Sequence, residues 1–150
     1  MNKLLKYAGV FVVALGMTSS AHGGDEIAII VNKGVSVKKL SKSDLRPIFQ
    51  TTKTSWQGGK ALPLNLPGGD STRRGFDAAI LGLDPDRVAR YWVDRKIRGG
   101  NPPPKNIPSA GMIVKVVGAK KGAIGYVPAS AANGSVKIVA RVRGGQVVGP

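Results

Sequence analysis

The chain has 150 residues, with 23 lysines and arginines against 8 acids, a net charge of +15 and no cysteine. Without cysteine there is neither a disulfide nor a thiolate metal site, so burial alone must stabilise the fold. The one histidine, His22, leaves zinc without a ligand cluster and excludes His- or Cys-dependent nucleophilic catalysis, so no enzyme and no cofactor is expected.

Lys3 and Lys6 precede an apolar run of ten, Ala8 to Met17, and small residues follow to Gly23 before Asp25 and Glu26. This is the layout of a secretory signal, with cleavage after Ala21 or after Gly23 satisfying the small-residue rule equally. A ten-residue run is half of the ~20 a membrane span needs, so residues 1–23 are predicted to be removed and the remainder to have no membrane insertion. Residues 24–150 then form one domain with a net charge of +13, too short for two cores. An exported chain without cysteine fits the periplasm, and so basic a surface predicts an anionic partner or adhesion to acidic envelope polymers.

Glu26 to Asn32 (EIAIIVN) is a β-branched apolar run closed by Lys33-Gly34, which predicts a buried strand. Ser41 with Asp44 three residues later caps a short helix carrying Leu40, Leu45, Ile48 and Phe49, and Pro47 limits it to about two turns. Trp56 is the one apolar residue in a polar loop and is predicted to anchor it by packing. Ala61 to Leu66 (ALPLNL) is a strand whose Pro63 suits an edge or a strand start.

Pro67 to Thr72 (PGGDST) is a glycine turn that leads into a helix with Phe76, Ala79, Ile80 and Leu83 on one face. After Gly82, Asp84 caps and Pro85 opens a further helix, with Val88, Tyr91, Trp92 and Val93 predicted to face the sheet and the arginines outside. Gly99 to Pro104 (GGNPPP) breaks it as a stiff loop. Ser109 or Ala110 opens a helix carrying Met112, Ile113, Val116 and Val117. Ala123 to Val127 and Ser135 to Val142 are predicted as the last two strands. Strands alternating with helices imply an α/β sandwich around one sheet.

One segment carries chemistry. The helix start at Gly69 to Thr72 has backbone N–H groups without intrahelical partners at the positive end of the helix dipole. Gly68 and Gly69 admit a close ligand, Ser71 and Thr72 add hydroxyls, and Arg73 or Arg74 adds charge, so an oxyanion fits. The other reading is a plain cap, with Asp70 or Ser71 bonding its own backbone. The close pair Asp84 and Asp86 is read as helix capping rather than as paired catalytic carboxylates.

Four segments resemble the phosphate-binding proteins of ABC importers, and more closely short single-domain relatives. They are LRPIFQTTKTSW (Leu45 to Trp56), PGGDSTRRGF (Pro67 to Phe76), Tyr91 to Pro104, and GAIGYV (Gly122 to Val127). The resemblance implies one lobe of a type II periplasmic-binding-protein fold, a mixed sheet flanked by helices, binding phosphate or a similar oxyanion weakly at Gly68, Gly69, Asp70, Ser71, Thr72, Arg73 and Arg74. Against that family's pattern Gln50 replaces a glycine, Gly68 an arginine and Arg74 a threonine, while Asp70 and Thr72 match. An ABC transport component is the implied partner. The alternative is an envelope interaction module that keeps the lobe, has lost the ligand and docks on a protein or acidic polymer through its basic face. Nucleic acid is not expected of an exported chain with few exposed aromatic candidates.

Overall fold

The computed structural model describes residues 25–150; the predicted signal segment, residues 1–23, lies outside the described residues. In chain order the strands are β1 (Ile27–Asn32), β2 (Ser55–Trp56), β3 (Gly59–Lys60), β4 (Leu62–Asn65), β5 (Lys105–Asn106), β6 (Ala123–Pro128), β7 (Val136–Arg143) and β8 (Gln146–Val148). The helices are α1 (Lys42–Phe49), α2 (Ser71–Phe76), α3 (Pro85–Ile97) and α4 (Ala110–Ala119).

Because its first five residues are apolar and buried, β1 can occupy the middle of the sheet with both faces covered. It pairs antiparallel with β6 and β7, and the six-stranded order is β5-β4-β6-β1-β7-β8. Parallel pairing of β4 with β5 and β6 makes the sheet mixed, in agreement with the predicted class. β5 reaches only Leu64 and Asn65, so the Pro63 end of β4 has a strand on one side alone, where a missing N–H costs no ladder bond. β2 and β3 form a separate hairpin. From it Trp56 turns inward, buried, and donates its indole N–H to the Gly122 carbonyl at 3.0 Å, the packing anchor that was expected.

Successive residues of β6 divide the two faces. Gly125 lies under α4, where a Cβ would meet Ile113 Cγ2 at 2.5 Å. Tyr126, on the other face, stacks on Phe76 with ring centroids 3.7 Å apart and meets Phe49 edge-on at 5.9 Å. Thus α4 covers one face while α1 and α2 cover the other. Gly122 is a second close approach, since a Cβ there would stand 2.3 Å from the Lys60 carbonyl oxygen.

The helix starts follow local chemistry. Ser41 forms a reciprocal capping box with Asp44, Asp84 accepts from the Arg87 N–H, and Ser109 accepts from the Met112 N–H. After α2 the chain continues as a π-helical turn, Asp77–Leu81, and stops at Gly82 with φ +70°. Arg46 donates to the Ile80 carbonyl freed there, at 3.0 Å.

Two expectations fail on burial. In α3 only Val88 is buried; Tyr91 and Trp92 are half-buried, and Val93 is 60 % exposed. The helix begins after a tight left-handed turn at Gly82; Trp92 packs on the core with part of its ring exposed, and the two rings meet edge-on with Arg95 beside them. In α4 Ile113, Val114 and Val117 are buried whereas Met112 is exposed, so the apolar stripe turns by one position from the predicted one. Nor was β7 the last strand: β8 follows it through Gly144 and Gly145, both at positive φ.

Candidate functional site

The loop after β4 is held from beneath by a buried polar network. Asn65 is buried and accepts the Tyr126 hydroxyl at 3.0 Å, and the same hydroxyl accepts the Leu66 N–H at 3.3 Å. Burial pushes the Tyr126 phenol far up, so it stays protonated and can fill both roles.

Arg73 completes the network. Its side chain is turned into the protein, with the residue 9 % exposed; Nη1 donates to the Leu66 carbonyl at 2.9 Å and to Asn106 Oδ1 at 3.1 Å, and Nε donates to Asp77 at 3.3 Å. Desolvation raises the Asp77 carboxyl above its ordinary range, against the pull of Arg73. A buried pair of this kind breaks even only when further bonds satisfy it, and Leu66 and Asn106 supply them. Arg73 therefore fastens the loop that precedes its own helix, besides carrying charge.

The helix start is capped. Asp70 Oδ1 accepts the N–H groups of Thr72, at 2.8 Å, and Arg73, at 3.2 Å. Of the donors read as open in the sequence, the Thr72 N–H is taken by this cap and the Asp70 N–H by the Pro67 carbonyl at 3.0 Å, so the capping alternative holds for Thr72. Among the described residues the N–H groups of Gly69 and Ser71, the Thr72 hydroxyl and Asp70 Oδ2 make no hydrogen bond.

Ser71 and Thr72 border an open cavity of about 300 Å³, lined also by Asp25, Ile27, Gly75, Val142 and the Gly144-Gly145 turn. Gly68 and Gly69 are exposed, and around Gly69 there is open space; a Cβ on Gly68 would lie 4.0 Å from Arg73 Nη1. Where the resemblance places an arginine at position 68, the Arg73 guanidinium approaches the same place from below. Arg74 is exposed. Thus Gly68 to Thr72 are brought together with Arg73 behind them and Arg74 outside. Sequence reasoning missed Asn65, Asn106 and Tyr126 as supports of the loop. Only the Arg73–Asp77 spacing of four residues could have signalled part of that network.

No protein-family model matches the chain. Solved structures do match. An ABC-type phosphate transport receptor from Vibrio cholerae superposes with a TM-score of 0.61 at 22 % identity, over 77 % of this chain and 45 % of its own. A putative phosphate ABC transporter substrate-binding protein with bound phosphate from Clostridium perfringens gives 0.63 at 23 %, over 77 % and 44 %. PstS from Borrelia burgdorferi gives 0.60 at 14 %, over 77 % and 46 %. The chain thus shares the α/β fold of phosphate ABC transporter substrate-binding proteins while spanning less than half the length of each.

Proposed function

We propose that this is a one-lobe periplasmic domain that binds phosphate or a similar oxyanion weakly at Gly68 to Thr72, beside a phosphate transport system. The observation that carries it is the set of unpaired groups at one spot: the Ser71 N–H and the Thr72 hydroxyl as donors, and Asp70 Oδ2 as an acceptor. Two donors suit any oxyanion, whereas a free carboxylate oxygen suits one that still carries a proton. Hydrogen phosphate has that proton and sulfate does not, so the site favours phosphate. Arg74 adds long-range attraction from the surface, and Arg73 holds the loop. The fold shared with phosphate receptors supports the reading.

Isothermal titration with phosphate and with sulfate at low salt tests it. Thr72→Ala is expected to weaken phosphate binding by about 1.5–3 kcal/mol, the range for a hydrogen bond to a charged group, and Asp70→Asn to abolish the preference over sulfate. Equal, salt-suppressible binding by wild type and both variants would assign the attraction to the basic surface instead.

A second reading has its own observation. Helix α3 carries Arg87, Arg90 and Lys96 with Val93 and Ile97 uncovered beside them, Ile97 79 % exposed, and Arg98 follows as its C-cap, paired with Asp94 at 3.1 Å. A basic face with apolar residues suits an interaction module that docks on an acidic envelope protein or polymer. Retention of a partner from periplasmic extract at low but not high salt, by a domain blind to phosphate, would favour it.

A further inference from the structure

A larger concavity, of about 600 Å³, shares no lining residue with the cavity at Ser71. Its volume falls in the range of small-molecule sites, roughly 300–1,000 Å³. The surfaces are apolar: Ile48 at the end of α1, Leu62 and Leu64 of β4, Ile107 after β5, and Val116 of α4. The three prolines 102–104 form one wall, and Asn101 fastens that loop by donating to the Thr51 carbonyl at 2.9 Å. Proline backbone is already restricted, so the wall is formed before any ligand arrives.

The polar lining has one sign. Lys53, Lys60, Lys105, Lys115 and Lys120 surround the groove, all exposed, and among the described residues no aspartate or glutamate lines it. Thr51 supplies an independent mark. It lines the groove, its Oγ1 is buried without a hydrogen-bond partner, and its backbone has φ +55°. An orphaned buried hydroxyl on a β-branched residue in the left-handed region is costly twice over, and such costs concentrate where a ligand supplies the missing partner.

We propose that this groove, which Thr51 also lines, binds a monomeric amphiphilic anion, its apolar body on Leu62, Leu64 and Val116 and its carboxylate or phosphate head among the lysines. Apolar surfaces alone would take any greasy molecule, and lysines alone any anion. Their combination in one preformed groove selects molecules that are both.

Titration calorimetry of the purified protein with dodecyl phosphate below its micelle concentration is the test. Dodecyltrimethylammonium, inorganic phosphate, an oligoglutamate peptide and vesicles of phosphatidylglycerol serve as comparisons. Saturable binding of dodecyl phosphate, at least tenfold tighter than the cationic amphiphile, is expected. The double variant Lys60→Glu/Lys120→Glu lies on the exposed rim and should fold; it should lose tenfold or more, since each reversal turns attraction into repulsion. Thr51→Val should bind more weakly yet unfold at the same or higher urea, because the hydroxyl it loses has no partner in the free protein. Leu62→Glu should abolish binding, and Thr72→Ala should leave it unchanged. Equal affinity for both amphiphiles, an unaffected lysine double variant, or a response confined to vesicles or to the peptide would overturn the proposal.

Discussion

Helices α2 and α3 follow one another in the chain and have opposite relations to the core. The six residues of α2 bury Thr72, Arg73 and Phe76, whereas the thirteen of α3 bury only Val88 although they include a tyrosine and a tryptophan. Each helix has an arginine that shows the difference. Arg73 faces a carboxylate, a carbonyl and an amide inside the protein; Arg95 lies 5.8 Å from the Tyr91 ring and 5.9 Å from that of Trp92, on its own helix. Burial here follows the partners that the surrounding backbone offers, and side-chain hydrophobicity alone would have ranked these residues the other way.

The largest contrast is between the aromatic residues. Phe76→Ala removes the ring stacked on Tyr126 and set edge-on against Phe49, and should cost about 3–5 kcal/mol, as buried aromatic truncations do. Trp92→Ala leaves no closed cavity and should cost ~1 kcal/mol, near the middle of the range for ordinary substitutions. Urea unfolding monitored by circular dichroism measures both. Equal losses would break the comparison and show that α3 is docked after all.

The arginines sharpen it through pH. Arg73→Met leaves the Asp77 carboxylate buried without its cation and should cost about 3–5 kcal/mol near neutrality, against less than ~1 kcal/mol for Arg95→Met, whose ring contacts are partly exposed. Asp77 already has a raised pKa from burial, so the folded state holds its proton longer than the unfolded chain does. Such a group supports stability below its unfolded pKa, and that support is lost as pH rises through the folded value. Without Arg73 the value rises further, and the deficit of Arg73→Met should therefore shrink on acidification. Glu26 has the reverse sign: hydrogen bonds from Arg143 and Arg141 lower its pKa, so its contribution is lost as pH falls through that lowered value. Unfolding curves at several acidic pH values separate the two. A deficit that grows on acidification would mean Asp77 is not the group Arg73 neutralises.

A third helix, α4, shows what close docking requires. Gly125 lies where a Cβ would already be 2.5 Å from Ile113 Cγ2, with Val117 Cγ2 at 3.6 Å. Gly125→Val must push α4 off the sheet or force its side chains from their rotamers, at about 1–3 kcal/mol. A melting temperature equal to wild type would mean that α4 is as loosely seated as α3.

What could be read from the sequence was whatever local chemistry decides. Ser41, Asp84 and Ser109 start helices as caps because the accepting side-chain oxygen and the N–H that donates to it lie three residues apart. The long strands β1, β6 and β7 follow from runs of apolar residues. What was not legible depends on distant partners. β5 is two residues long and exists as a strand only beside β4. Arg73 turns inward because Asn106, 33 residues away, waits for it. The glycine turn, the hydroxyls and Asp70 were legible at the site, whereas Asn65, Tyr126 and Asn106 beneath it were not. The lysine groove is assembled from four separate segments, none of which looks like a site alone.

The smallest effect separates the two tryptophans. Trp56 is buried and its indole N–H donates to the Gly122 carbonyl, whereas Trp92 is half-buried on α3. Helical spacing put Trp92 against the sheet, which would give it the blue-shifted emission of an apolar site. Its position on α3 requires the opposite order. In a Trp92→Phe variant the remaining Trp56 should emit at shorter wavelength and resist quenching by iodide, while in a Trp56→Phe variant the remaining Trp92 should emit nearer to free indole and be quenched readily. Arg95 beside the Trp92 ring would draw iodide closer and enhance that quenching, so acrylamide, which is uncharged, is the necessary control. Trp56→Phe also deletes the bond to Gly122, at a cost of about 1 kcal/mol, too little to unfold the domain before its spectrum is taken. If Trp92 proves as shielded as Trp56 from both quenchers, something covers α3 in solution, and a second copy of the chain would then be sought by its dependence on protein concentration.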